Sequence, residues 1–174
     1  MSRSRKSLFT KKNSLIIGTV LVVLIGFIIT VIALNNQSTT TEENQTTSKD
    51  VPTFETVLPK NKSIDQLGGW TRISPPENDP VYAYTDTIDN VSITVSQQPA
   101  PNSFKNNLDT EVAEVAKKFN ATSQLDTSGV KVYIGTSAKG PQSVIFVKNN
   151  LLILIKSVQK IDDNKWTAYI NSLS

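Results

Sequence analysis

SVIFVKNNLLILIK, Ser143 to Lys156, is the stretch that decides the fold. It holds two apolar runs, SVIFVK and LLILIK, divided by Asn149-Asn150. Asparagine accepts positive φ more readily than most residues, so the pair predicts a tight turn and the whole stretch a β-hairpin. Successive side chains on a strand point to opposite faces. Runs that are apolar at every position therefore present hydrophobic surface on both faces, and both faces need cover.

Two stretches with helical periodicity can supply that cover. Ser103 to Phe119 carries Phe104, Leu108, Val112, Val115, Ala116 and Phe119 at i, i+4, i+8, i+11, i+12 and i+15, the stripe of an amphipathic helix. Ser103 or Asn102 is placed to cap it, and Glu114 to Lys118 is a favourable i,i+4 pair. Asp162 is placed as the N-cap of a second helix through about Leu173, with Trp166, Ile170 and Leu173 on one stripe.

Further strands follow from period-2 patterning. Val91, Ile93 and Val95 alternate with Ser92, Thr94 and Ser96, and Tyr82 and Tyr84 share one face of Val81 to Thr85. The pentapeptide Asp86-Thr87-Ile88-Asp89-Asn90 between them reads as a turn, which makes a second hairpin. Val130 to Ile134 is another alternating strand, and Lys139-Gly140-Pro141 ends it as a turn. Upstream, Gly68-Gly69 reads as a turn before a short strand at Trp70 to Ile73, and Pro75, Pro76 and Pro80 enforce an irregular segment. The expected fold class is α+β, an antiparallel sheet in the order β-β-α-β-β-β-α covered by two helices, with the folded part spanning 54–174.

The chain outside that domain has a different character. Leu15 to Leu34, LIIGTVLVVLIGFIITVIAL, is twenty residues without a charge. As a helix it spans roughly 30 Å, the thickness of a bilayer's hydrocarbon core, so a single transmembrane helix over 15–34 is expected. Gly18, Gly26 and Thr30 lie on roughly one face of it, either a helix-packing stripe or the ordinary Gly and Thr content of such helices. The arm 1–14 carries Arg3, Arg5, Lys6, Lys11 and Lys12 and no acid, whereas the first charges beyond the run are Glu42 and Glu43. The positive-inside rule then puts the N terminus in the cytoplasm and the domain outside the cell membrane. A cleaved signal peptide, cut before Leu34 after the small residue Ala33, is the competing reading, but the apolar run exceeds the usual signal core and no lipid-accepting Cys follows. A pilin-like subunit is set aside because no glutamate begins the apolar run. Asn35 to Thr53, rich in Ser, Thr, Asn, Gln and Glu, reads as a disordered polar tether with a root-mean-square span of roughly 24 Å.

Charge and composition exclude several functions. The formal net charge is +3, yet from Asn35 onward 13 Lys+Arg stand against 15 Asp+Glu, a net of −2. Without a basic run there is no electrostatic case for nucleic acid. The chain has no His and no Cys, which removes disulfides, thiol nucleophiles, zinc sites of the usual ligand set and the commonest general base. Asp86 and Asp89 with Asn90 lack the ligand count and spacing of a calcium loop, and Gly68-Gly69 lacks the spaced glycines and Gly-Lys-Ser/Thr of a phosphate loop. No catalytic residue, metal ligand or cofactor is expected. The aromatic set Trp70, Tyr82, Tyr84 and Tyr133 gives the candidate binding residues, weighed against ordinary packing on a sheet.

The element order, the Gly68-Gly69-Trp70 entrance and the closing NNLLILIKSVQKIDDNKWTAYINSLS carry a resemblance over about 100 residues. The pattern resembles the uncharacterised extracytoplasmic domain found on membrane-anchored bacterial proteins, and it is similar to the PsbP-like class of antiparallel sheets sandwiched by helices. The resemblance implies a fold class and supplies no catalytic residues.

The leading expectation is a single-pass envelope protein that is not an enzyme and whose partners are the lipid bilayer and an envelope protein or ligand. If one face of the hairpin 143–156 is left uncovered, that face is the natural interface. A transmembrane regulator or sensor working through a membrane partner is the alternative. An enzyme of unusual chemistry comes third, and a pocket joining two or more of Asp86, Asp89, Lys131 and Lys139 would favour it.

Overall fold

The computed structural model describes residues 50–174. The arm 1–14, the run Leu15–Leu34 with Gly18, Gly26 and Thr30, and the tether up to residue 49 lie outside the described residues. Among the described residues no helix is long and apolar enough to cross a membrane.

The chain does not follow the order β-β-α-β-β-β-α. After a 3-10 turn at Asp65–Leu67 come β1 (Thr71–Arg72), β2 (Tyr82–Ile88), β3 (Val91–Pro99), α1 (Phe104–Lys118), β4 (Ser123–Leu125), β5 (Val132–Thr136), β6 (Gln142–Lys148), β7 (Leu151–Ser157) and α2 (Asp163–Ser172). Seven strands form one sheet in the order β1-β2-β3-β7-β6-β5-β4, with every neighbouring pair antiparallel. Of the two edge strands, β1, with two residues, lies inside the short strand expected at Trp70 to Ile73 but is an addition to the stated order, and β4, with three, was not anticipated. Segments that short carry no legible period.

The strand β2 runs on to Ile88 instead of stopping at Thr85, and the turn is the dipeptide Asp89-Asn90 at φ 53° and 65°. Asn149-Asn150 makes the same kind of turn at φ 50° and 60°. Two successive left-handed residues match the twist of the flanking strands in a two-residue hairpin. Both hairpins thereby keep strict register, and β3 pairs with β7 to join them.

The register separates the two faces of the sheet. Tyr84, Val95, Ile155, Val144 and Ile134 form one cross-sheet row, packed in a single cluster with Trp166, Ile170 and Leu173 of α2. The adjacent row, Ala83, Ser96, Leu154, Ile145 and Tyr133, faces the other way, toward α1. There Phe104, Val112, Val115 and Ala116 are buried, and Lys156 places its Nζ 5.2 Å from the Phe119 ring centroid. Ile145 is fully buried and Val147 half-buried, so the central hairpin is core on both faces and is not the interface anticipated for an uncovered face.

Within α1 the backbone leaves helical values at Asn107, with φ −146° and ψ 50°. The i, i+4 step from Phe104 to Leu108 therefore does not hold, and Leu108 is 44% exposed. Ser103 and Asp162 occupy the N-cap positions as expected, but neither makes a side-chain cap bond; the Asp162 backbone carbonyl accepts from the N–H groups of Lys165 and Trp166. The surface ion pair on α1 joins Glu114 to Lys117, one residue before the expected partner.

Two buried glutamines tie irregular segments to the sheet. Gln97, fully buried on β3, accepts the Val57 N–H at 3.0 Å through Oε1 and donates to the Val57 carbonyl at 2.6 Å through Nε2. Its carboxamide thus imitates one rung of a β-ladder and satisfies both polar groups of a residue outside the sheet. Gln142, on β6, accepts from the Ile161 N–H at 2.7 Å and from Trp166 Nε1 at 2.9 Å, and donates to Thr136 Oγ1 at 3.0 Å. The C-terminal residues pair back as well: Ser174 N–H donates to Leu58 O at 3.0 Å and Leu58 N–H to Ser174 O at 3.2 Å. The lead-in segment 50–60 is therefore held by both β3 and the chain end.

Candidate functional site

The four aromatic candidates divide between the faces and between core and surface. Tyr133 lies on the α1 face and is buried. Tyr84 is buried in the cluster with α2, and Tyr82, two residues back on the same face of β2, is also buried. Trp70 is half-buried, and it meets Tyr84 edge-on with ring centroids 5.1 Å apart at 80°. Phe54 rests on Tyr82 with centroids 5.7 Å apart. Three of the four candidates thus serve packing, and Trp70 is the one open to a ligand.

Trp70 opens onto a recess of about 350 Å³, lined by the segment Asp50, Val51, Pro52, Phe54 and Thr56 together with Ile64, Gly69 and Trp70. Its geometry is set by the turn that precedes β1. Gly68 and Gly69 take φ 84° and 91°, values an L side chain rarely adopts, and the Gly69 N–H returns to the Ile64 carbonyl at 2.9 Å. That fold-back sets Ile64 beside Trp70. The segment from Asp50 to Thr56 is a strap fixed at two points: Asp50 Oδ2 accepts the Arg72 N–H at 2.8 Å, and the neighbouring Val57 is held by Gln97. Asp50, Val51 and Pro52, which read from the sequence as the end of a tether, form part of a wall.

Tyr84, the ring partner of Trp70, belongs to a buried polar cluster. Asp86, facing α2 and mostly buried, accepts from Lys62 Nζ at 2.6 Å, from the Thr87 N–H at 2.7 Å and from the Tyr169 hydroxyl at 3.1 Å. The Tyr84 and Tyr169 hydroxyl oxygens are 3.5 Å apart. Burial, first of all, pushes both phenols well above the ordinary tyrosine value, and the Asp86 carboxylate adds to the shift. This is why Asp86 belongs to a strand and not to a turn: its charge is met by three donors at once.

The cluster has a pH signature. Below about pH 10 both tyrosines are protonated in the folded and unfolded chains alike. As pH rises further the unfolded chain loses protons that the folded chain keeps, so stability falls with pH in that range. Tyr169→Phe is expected to cost about 1.5–3 kcal/mol, through the lost bond to a charged acceptor. It should also make the alkaline decline shallower. Urea denaturation across the alkaline range reads both, and an unchanged slope in Tyr169→Phe would contradict the assignment.

The charged groups that could have formed a catalytic pocket do not meet. Asp86 pairs with Lys62, Asp89 with Lys165 at 3.3 Å and Lys131 with Asp109 at 3.0 Å, while Lys139 is exposed. Among the described residues no three His, Cys, Asp or Glu side chains group to hold a metal ion. Sequence reasoning missed the strap, because its residues pair with groups far along the chain. The sole sequence signal was the apolar pair Val51-Pro52 inside a polar tract.

Comparison with protein-family models, with curated proteins and with solved structures finds no match.

Proposed function

We propose that this chain is an envelope protein held at the cell membrane by Leu15–Leu34, with the N terminus cytoplasmic, and that its outer domain is a non-enzymatic binding module. The uncharged run and the charge asymmetry around it support the placement. The observation that carries the binding role is the recess at Trp70, an apolar concavity of about 350 Å³ walled by a doubly fixed strap. Ligand sites are concavities of roughly this size lined by apolar and aromatic groups with a few fixed polar ones. The partner is a ligand or envelope protein that inserts a group between Phe54 and Trp70.

A photo-crosslinking residue at Val51 tests this in the native membrane. Val51 is 76% exposed beside the recess, so the probe leaves the core intact. A discrete adduct is expected that Trp70→Ala abolishes, with none from the same probe at Ser92, which is exposed on the other face of the sheet. Equal adducts at both positions, or none at Val51, would refute the role.

A further inference from the structure

We propose that the Trp70 recess is a site for a small organic cation, an alkyl- or arylammonium held by the Asp50 carboxylate and the neighbouring aromatic rings. The inference rests on the reading of the recess as a binding site and names the chemistry of its occupant.

The carboxylate comes first. Asp50 lines the recess, and one of its oxygens is fixed by the Arg72 N–H at 2.8 Å while the other has no partner among the described residues. No described cation neutralises it. Arg72, the obvious partner, turns its guanidinium away, donating through Nε to Ser74 Oγ at 3.3 Å and through Nη2 to the carbonyls of Pro75, Pro76 and Asn78 at 3.2, 3.2 and 3.1 Å. The wall thus presents a positioned negative charge, and no Lys or Arg lines the recess.

The aromatic rings come second. Trp70 and Phe54 both line the recess, and Trp70 keeps part of its surface open after its edge-on contact with Tyr84. An indole face attracts a cation through its quadrupole, more so where water is displaced. A fixed carboxylate and two rings around a concavity of about 350 Å³ give an ammonium both a counter-charge and π faces.

The other ligand classes fit worse. An anion would be repelled by Asp50. A neutral apolar ligand would strip water from the carboxylate without replacing it. A metal ion would find one carboxylate where it needs several oxygen ligands.

The test uses the full-length chain in a nonionic maltoside detergent and follows tryptophan fluorescence. Trp166 is fully buried, so a ligand-induced change reports on Trp70 and should vanish in Trp70→Phe. The probes are benzyltrimethylammonium, choline and the neutral carbon isostere of choline. Saturable binding of both cations is expected, with the isostere about tenfold weaker or worse. Asp50→Asn keeps an oxygen to accept the Arg72 N–H but removes the charge, so it should weaken the cations about tenfold and leave the isostere unchanged. An unchanged thermal midpoint shows that the variant is folded. If the isostere binds as tightly as choline, or Asp50→Asn binds the cations as the native chain does, the cation assignment falls while the recess still stands as a binding site. If none of the three probes saturates, the assignment falls and the recess loses its support as a small-ligand site as well.

Discussion

Gly135→Ala is expected to cost about 3 kcal/mol or more, and Gly135→Val to abolish folding. Gly135 sits in β5 where the chain leaving α1 crosses the sheet. A Cβ built there would lie 2.0 Å from the Asn120 carbonyl oxygen, 2.6 Å from its carbon and 2.8 Å from the Ala121 Cα. All three are backbone atoms, so no rotamer change can relieve the clash. Backbone movement is resisted because this crossing is itself tied down. Asn120 takes φ 55°, its N–H donates to the Lys117 carbonyl at 3.0 Å, and the Ala121 N–H donates to the Ala116 carbonyl at 2.9 Å. Those two bonds are the Schellman closure of α1, with Asn120 as the left-handed residue and Ala121 buried beyond it. Adding a methyl at 135 must lift the end of α1 from the sheet or open that closure. Asn120→Gly, which keeps the left-handed turn, is expected to be tolerated. Urea denaturation of the variants checks the argument, and an alanine at 135 costing less than about 1 kcal/mol would overturn it.

Neither Gly135 nor Asn120 was legible in the sequence as a structural residue, and the reason is physical. A close approach between two backbones leaves no mark except the missing side chain at one of them. Asn120 opens an Asn-x-Thr triplet that chance explains, as Asn90 opens an Asn-x-Ser; both turned out to hold positive φ. The central hairpin was legible because its signal is local: apolar residues at successive positions around a pair of asparagines. The edge strand β4 was not, since three residues are too few for a period to emerge, and β1 was marked only by the Gly68-Gly69 turn before it. Asp86 misled in the opposite direction. An aspartate followed by Thr-Ile-Asp-Asn reads as a turn until Lys62 and Tyr169, distant in sequence, are seen to satisfy it.

The same logic governs the recess. Trp70 could be picked out by residue type, but its openness depends on Gly68-Gly69 folding back toward Ile64 and on a strap whose clips reach to Arg72 and Gln97. Gln97 and Gln98 break the apolar/polar alternation that runs from Val91 to Ser96, although β3 continues to Pro99. Once Gln97 is seen as the acceptor and donor for Val57, a buried polar residue in mid-sheet ceases to be an anomaly.

Trp166→Ala is the second large effect, an expected loss of about 3–5 kcal/mol. Trp166 is the largest of the fully buried side chains and joins α2 to the sheet in two ways. Its ring packs against the residues of β6 and β7, so truncation leaves a cavity that its surroundings close only in part. Its Nε1–H donates to Gln142 Oε1 at 2.9 Å, the same oxygen that accepts the Ile161 N–H at 2.7 Å. The two contributions can be separated. Trp166→Phe retains most of the volume and loses only the donor, and Gln142 still has Ile161 and Thr136 as partners, so about 1–2 kcal/mol is expected. Gln142→Met should cost more than Trp166→Phe, because it leaves both the indole N–H and the Ile161 N–H buried without an acceptor. In the Trp166→Phe background that cost should shrink by about 1 kcal/mol, since one of the two stranded donors is already gone. A double-mutant cycle by urea denaturation measures the coupling. Strictly additive losses would mean that the indole bond to Gln142 contributes nothing, and that α2 is held to the sheet by volume alone.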